Sequence, residues 1–217
     1  MNKKARTLAL EQTFFADNPV LSVIAADILR AAELMCSTCR KGGQILVCGN
    51  GGSAADGDHI VGELMKGFLL RRPLSREDQL AFSSQFGEEG ERIASMLQRG
   101  LPAISLNAHA ALNSAFANDV DPVLSYAQQV LGYGRPGDLL IGISTSGMAD
   151  NVCAAMITAR ARGLQTLALT GKDGGRLSKL AECAVIAPAE ETYRIQELHL
   201  AMYHYLCAYT ESEIFDA

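Results

Sequence analysis

Two short runs of this 217-residue chain set nitrogen and oxygen donors at helical spacing. In DGDHIVGELMKG, His59 and Glu63 stand four residues apart, so on a helix they share one face and address one point in space. An imidazole nitrogen and a carboxylate oxygen are ordinary zinc ligands, and a carboxylate also serves as a general base; a surface ion pair is the plainer alternative. In RIQELHLAMYHYL the chain adds Gln196, His199 and His204, so three of its four histidines fall in two short segments. Gln196 and His204 lie eight residues apart, about 12 Å of helix rise with an offset of about 80°. Convergence of both on one metal demands long reach, so a shared site is expected to draw one of them from a neighbouring subunit.

Two loops offer a second kind of chemistry. CGNGGSAAD follows a short apolar run, and Asn50, Gly51 and Gly52 let the backbone turn sharply and approach a ligand closely. Ser53 and Asp56 read as an S-x-x-D capping signature for the helix that follows. GISTSGMADN places Ser144, Thr145 and Ser146 after another apolar run and just before a helix. Hydroxyls and free N–H groups at a helix start suit a phosphate. Each loop alone is often only a turn or a cap; together, at equivalent strand ends of one sheet, they point to a ligand. Neither carries G-x-G-x-x-G or G-K-[ST], which argues against a dinucleotide or a nucleoside triphosphate.

The elements that must position these groups follow from the apolar pattern. Short apolar runs at Gln44–Cys48, Ala103–Leu106, Leu139–Ile143, Gln165–Leu169 and Cys183–Ala187 alternate with amphipathic stretches. This predicts βαβ units and an α/β fold: a doubly wound, five-stranded parallel sheet flanked by helices, in one domain over 1–217. An N-terminal helical segment fills residues 1–43. It contains a helix opened by Asn18-Pro19, with Val20, Ile24, Ile28, Ala31 and Met35 inward and a stop at Gly42-Gly43. An earlier helix carries Leu8, Leu10, Phe14 and Phe15. Residues 71–101 interrupt the alternation with charged sequence, an insertion too long for a bare loop and expected to hold a helix near the site. From Glu190 to about Ile214 one long helix presents Ile195, Leu198, Met202, Leu206 and Tyr209 on one side.

Composition narrows the partners. The formal net charge is -5, with acidic and basic residues mixed and no basic block to track a phosphate backbone, so no nucleic-acid partner is expected. No run reaches the roughly 18 apolar residues needed to span a bilayer, and MNKKARTLALEQ lacks a signal-peptide core, so the expected location is the cytoplasm with no membrane partner. Six scattered cysteines among apolar neighbours suit reduced core thiols; Cys36 and Cys39 form a C-x-x-C with no second pair to complete a metal site.

Taken in order, CGNGGS, the H-x-x-x-E pair, AFANDV around Asn118 and Asp119, GISTSG, LTGKDGG and RIQELHLAMYH resemble the phosphoheptose isomerases, which are sugar isomerase (SIS) domain proteins. The resemblance spans nearly the whole chain apart from 71–101. It implies a flavodoxin-like three-layer fold and conversion of sedoheptulose 7-phosphate to D-glycero-D-manno-heptose 7-phosphate through an enediol, toward nucleotide-activated heptose. It further implies that Asn50, Gly51, Gly52, Ser53, Asn118, Asp119, Ser144, Thr145, Ser146 and Gln196 bind the sugar phosphate. His59, Glu63, Gln196 and His204 match the family's zinc ligands, one zinc per subunit, and Glu63 and His204 its acid/base pair. The family forms homotetramers with sites near subunit interfaces. The chain departs from the pattern at Ala149, where a serine is usual, at Tyr193 for an aspartate, and at Gly67 for an arginine, with Lys66 adjacent. Two other readings remain: an isomerase of another phosphosugar, and a non-catalytic SIS protein that associates with a replication initiator. The proteins of that last kind lack a counterpart of Glu63.

Overall fold

The structure is a computed structural model and describes residues 3–215. Helix α1 (Lys3–Asp17) leads into a 3-10 turn (Pro19–Ile24) and α2 (Ala25–Arg40); then follow β1 (Ile45–Gly49), α3 (Gly52–Met65), α4 (Arg76–Met96) and β2 (Ala103–Ser105). Next come α5 (Ala110–Asp119), α6 (Ser125–Tyr133), β3 (Leu139–Ile143), α7 (Asp150–Ala161), β4 (Gln165–Thr170), α8 (Gly175–Leu180), β5 (Cys183–Ile186) and α9 (Thr192–Ile214). All strand pairs are parallel, in the order β2-β1-β3-β4-β5. The doubly wound five-stranded sheet expected from the apolar runs is thus observed, with no strand end shifted by more than one residue.

Alternation along the strands splits the core between two faces. Ile45, Val47, Leu139, Ile141, Leu167, Leu169 and Val185 point to the side covered by α1, α2, α3 and α9. Leu46, Cys48, Leu140 and Ala168 point to the other, where Val130 of α6, Val152 and Met156 of α7 and Leu177 of α8 meet them. Because β1 and β3 are buried on both faces, their sequences are continuously apolar rather than alternating.

Two local expectations change. The helix opened by Pro19 starts as a 3-10 turn, and its tighter winding rotates Leu21 into the core while Val20 stays 49% exposed; Ile28, Ala31 and Met35 then face inward as the pattern required. Residues 71–101 hold a helical hairpin rather than one helix. Gly87, at φ 58° and ψ −137°, breaks α4, and the second half folds back so that a Cβ on Gly90 would lie 2.2 Å from the Phe82 carbonyl oxygen. An antiparallel bridge between Pro73 and Gln98 closes the base, where the Arg99 N–H donates to the Arg72 carbonyl at 2.7 Å.

Candidate active site

In this strand order the chain winds outward in opposite directions from β1 and β3, so a crevice opens between their carboxyl ends. Both chemistry-bearing loops lie there. After β1, Gly51 takes φ 56° and starts α3 at Gly52. This overturns the capping signature: with the helix beginning two residues early, Ser53 sits buried inside the first turn, and the N-cap makes no side-chain hydrogen bond. Asp56 makes no cap either; its Oδ2 is buried without a partner, and burial raises its pKa against the opposing pull of Tyr203 and His59.

After β3, Ser144 is buried while Thr145 and Ser146 are partly exposed. Gly147 turns the chain at φ 65°, and the Met148 N–H donates to Ser146 Oγ at 3.2 Å. Helix α7 then begins behind Ala149, which makes no side-chain cap; the Val152 N–H is taken by Asn151 Oδ1 at 3.0 Å, so the Asp150 and Asn151 N–H groups are the ones the helix itself leaves for an anion's oxygens. The two loops are tied together. Asn50 Nδ2 donates to Asn151 Oδ1 at 2.8 Å, and Asn151 Nδ2 donates back to Asn50 Oδ1 at 2.9 Å. Behind them the Tyr126 hydroxyl lies 2.7 Å from the Gly49 carbonyl oxygen and also contacts Asn107 Oδ1. Burial, then the neighbouring Cys48 and Asp58, push the Tyr126 phenol up to about 12, so it acts as a hydrogen-bonding strut. Gln196, at the start of α9, covers the same loop: a Cβ on Gly52 would fall 2.1 Å from its Nε2.

A second cluster forms two turns further along α3. His59 Nε2 lies 3.3 Å from Glu63 Oε1 and 3.3 Å from His204 Nε2, so residues 145 positions apart in the chain meet at one ring nitrogen. Tyr203 OH sits 2.9 Å from His59 Nδ1 and fixes the ring from its other side. Lys66 Nζ reaches Glu63 Oε2 at 3.0 Å. Burial pushes the Glu63 carboxyl up, but Lys66 and then His59 outweigh it and hold the pKa below the usual carboxylate range. Burial, reinforced by His59 and opposed by Glu63, holds the His204 imidazole below its ordinary value. Among the described residues, no three His, Cys, Asp or Glu side chains stand as a finished metal cage: His59 touches Glu63 and His204, but those two make no ion pair with each other.

The expected site residues therefore divide. Asn50, Gly51, Gly52, Ser53, Ser144, Thr145, Ser146 and Gln196 gather at the crevice; His59, Glu63 and His204 gather on the α3–α9 face. Asn118 and Asp119 join neither: they end α5 on exposed surface, and Asn118 Nδ2 donates to Asp119 Oδ1 at 2.9 Å. His199 is a core residue, wholly buried, with Nε2 donating to the Thr170 carbonyl at 2.9 Å. Sequence reasoning passed over Asn107, Tyr126, Asn151 and Tyr203. For Asn107 the signal was its place at the end of a strand, and for Asn151 its place where GISTSGMADN enters a helix; Tyr126 and Tyr203 carry none, because they act through contacts with residues distant in the chain.

Two SIS domain family models match the chain, one over residues 19–99 and the other over 99–210. The phosphoheptose isomerase of Akkermansia muciniphila is 36% identical over 201 residues, covering 92% of this chain and 93% of its own length. That of Thermodesulfovibrio yellowstonii is 36% identical over 210 residues, covering 97% and 89%. Among solved structures, the phosphoheptose isomerase of Neisseria gonorrhoeae superposes with a TM-score of 0.72 at 29% identity, covering 96% of this chain and 94% of that one.

Proposed function

The chain belongs to the phosphoheptose isomerases of the SIS domain family, and from that membership we propose that it interconverts sedoheptulose 7-phosphate and D-glycero-D-manno-heptose 7-phosphate. The observation that carries the reading is the meeting of His59, Glu63 and His204 beside a phosphate-type crevice. The reaction requires one base and one proton shuttle. Glu63 takes the proton from the carbon next to the ketone and returns it to the former carbonyl carbon; His204 moves the hydroxyl proton between the two oxygens, through an enediol. The loops at Asn50–Ser53 and Ser144–Ser146 hold the phosphate with backbone N–H groups and hydroxyls.

Spacing within one chain supports a site shared between copies. His59 is seven residues beyond Gly52, about 10 Å along α3, and α3 runs back toward the amino ends of the strands. The cluster thus stands displaced along α3 from its own crevice, with the His59 side chain 41% exposed. In a homotetramer the crevice of one subunit meets the His59–Glu63–His204 face of another, and Gln196 arrives with the crevice it covers. Zinc fits the donors in kind, two imidazoles and a carboxylate that meet at His59. His59, Glu63 and His204, with Gln196 from the neighbour, would hold the zinc, which would supply Lewis-acid polarisation. The domain over 1–217, with 71–101 as an insertion, and a cytoplasmic location belong to the same reading; among the described residues no helix is long and apolar enough to cross a membrane.

The test is conversion of sedoheptulose 7-phosphate by purified protein, with and without zinc, beside Glu63→Gln. Turnover in the parent and a loss of about 10²–10⁴-fold in the variant support the assignment. Absence of turnover under every metal condition overturns it and favours another phosphosugar or a binding role.

A further inference from the structure

Helix α3 ends at Met65, and its last carbonyls have no partner within the helix. One of the most deeply buried charges in the molecule serves them. Arg72, with no side-chain exposure, donates from Nη1 to the Leu64 carbonyl at 2.7 Å and from Nη2 to the Glu63 carbonyl at 3.3 Å. A cation is also the charge that a helix carboxyl end favours. The remaining edge of the guanidinium, Nε, donates to Glu211 Oε1 at 2.7 Å.

Glu211, 1% exposed, collects the rest of the turn. Its carboxylate accepts from the Phe68 N–H at 2.8 Å, the Leu69 N–H at 2.7 Å and the Leu70 N–H at 3.0 Å. The Phe215 ring closes over the guanidinium, 4.7 Å from centroid to Cζ. Glu211 follows His204 by seven residues on α9, two turns with an angular drift of only about 20°. The face of α9 that brings His204 to His59 therefore brings Glu211 to Arg72. Likewise the residue whose carbonyl Arg72 holds is Glu63 itself.

We infer that Arg72 and Glu211 are positioning residues, a buried clamp that sets the Glu63 end of α3 against the His204 face of α9. The catalytic consequence rests on the isomerase reading above. A buried ion pair is a poor means of stabilising a fold, since apolar residues of the same volume often do as well. Apolar residues cannot, however, hold two helix carbonyls and three loop N–H groups in fixed register. The clamp acts through Glu63 and touches no substrate.

Arg72→Lys separates register from charge: an ammonium still faces Glu211 but lacks the planar fork that spans two carbonyls. Glu211→Asp does the same from the other side, keeping the charge and shortening its reach. In either variant that folds, the melting temperature is expected within a few degrees of the parent and KM within about twofold, while kcat falls by up to about 10²-fold, the cost of an ångström-scale misplacement. Amide hydrogen exchange is expected to quicken across residues 61–70 and stay parental elsewhere. A parental kcat, or a kcat that falls only with the folded fraction, overturns the inference. Should the parent convert no phosphosugar, the isomerase reading fails by itself and exchange alone judges the clamp: faster exchange confined to 61–70 upholds it, and a parental pattern sinks it.

Discussion

Asn50 and Asn151 exchange two amide hydrogen bonds, at 2.8 and 2.9 Å, across the opening between the first and third strands. Each holds the other's loop: Asn50 belongs to the turn that starts α3, and Asn151 to the first turn of α7. The pair is exposed, so it contributes little to global stability; what it fixes is the separation of the two loops at the crevice. Asn151→Ala is expected to leave the melting temperature unchanged and to raise KM about fivefold, about 1 kcal/mol for the loss of two exposed hydrogen bonds. Steady-state kinetics with the phosphosugar check this, and an unchanged KM would show that the loops hold their spacing without the pair.

Two glycines should respond oppositely to alanine. At Gly147 a Cβ would stand 2.0 Å from the Gly174 carbonyl oxygen, on a backbone already at φ 65°. Gly147→Ala should cost at least about 2 kcal/mol, since neither backbone can yield. At Gly52 the new methyl meets only the end of the Gln196 side chain. Gly52→Ala should fold with parental stability and lose about tenfold or more in kcat/KM as Gln196 is displaced. Thermal melts and kinetics on the two variants decide the matter; a destabilised Gly52→Ala would mean that Gln196 is locked in place.

His199 predicts a pH dependence of stability. Its ring is wholly buried, Nδ1 has no partner, and burial depresses its pKa below the ordinary 6.5, against the pull of the Thr170 carbonyl. The unfolded chain therefore binds a proton at a pH where the folded one does not. Stability from this residue is full above about pH 6.5 and is lost as the pH falls from there toward the depressed value. His199→Gln keeps a donor for Thr170 and removes the titration. Melting temperatures taken from pH 7.5 to 5.5 should fall more steeply for the parent than for the variant, and parallel curves would refute the assignment.

The cysteines are expected to be inert in the folded protein. Burial pushes Cys36 and Cys48 up to about 12 and Cys39 and Cys183 up to about 11, and all six thiols are free. A thiol reagent at pH 8 should label none of these four until denaturant is added. Rapid labelling of Cys36 and Cys39 in the native state would revive a redox role for the C-x-x-C.

How much of this was legible depends on whether a residue's role is local. Leu139–Ile143 was read to the residue, because a strand buried on both faces writes its whole length in apolar side chains. The helical spacing of His59 and Glu63 likewise appears as one contact in the structure. The S-x-x-D signature misled, because Gly51's positive φ starts the helix before the hydroxyl can cap it. Meetings such as His59 with His204, or Tyr126 with Gly49, leave no trace in spacing, since they depend on how helices pack onto the sheet. Arg72 was hidden for the same reason: in a charged stretch nothing distinguishes an arginine bound for the core from its exposed neighbour Arg71.

The hairpin of residues 76–96 departs and returns at hydrogen-bonded neighbours, Arg72 and Arg99. Such an excursion is a detachable arm. Because its two feet are already joined, the arm can lengthen, shrink or change its sequence, and the spacing of α3 and β2 does not feel it. Its Leu80, Phe86 and Met96 lie on the surface at 57, 66 and 63% exposure, so inheritance can remodel what this domain touches without editing what it catalyses.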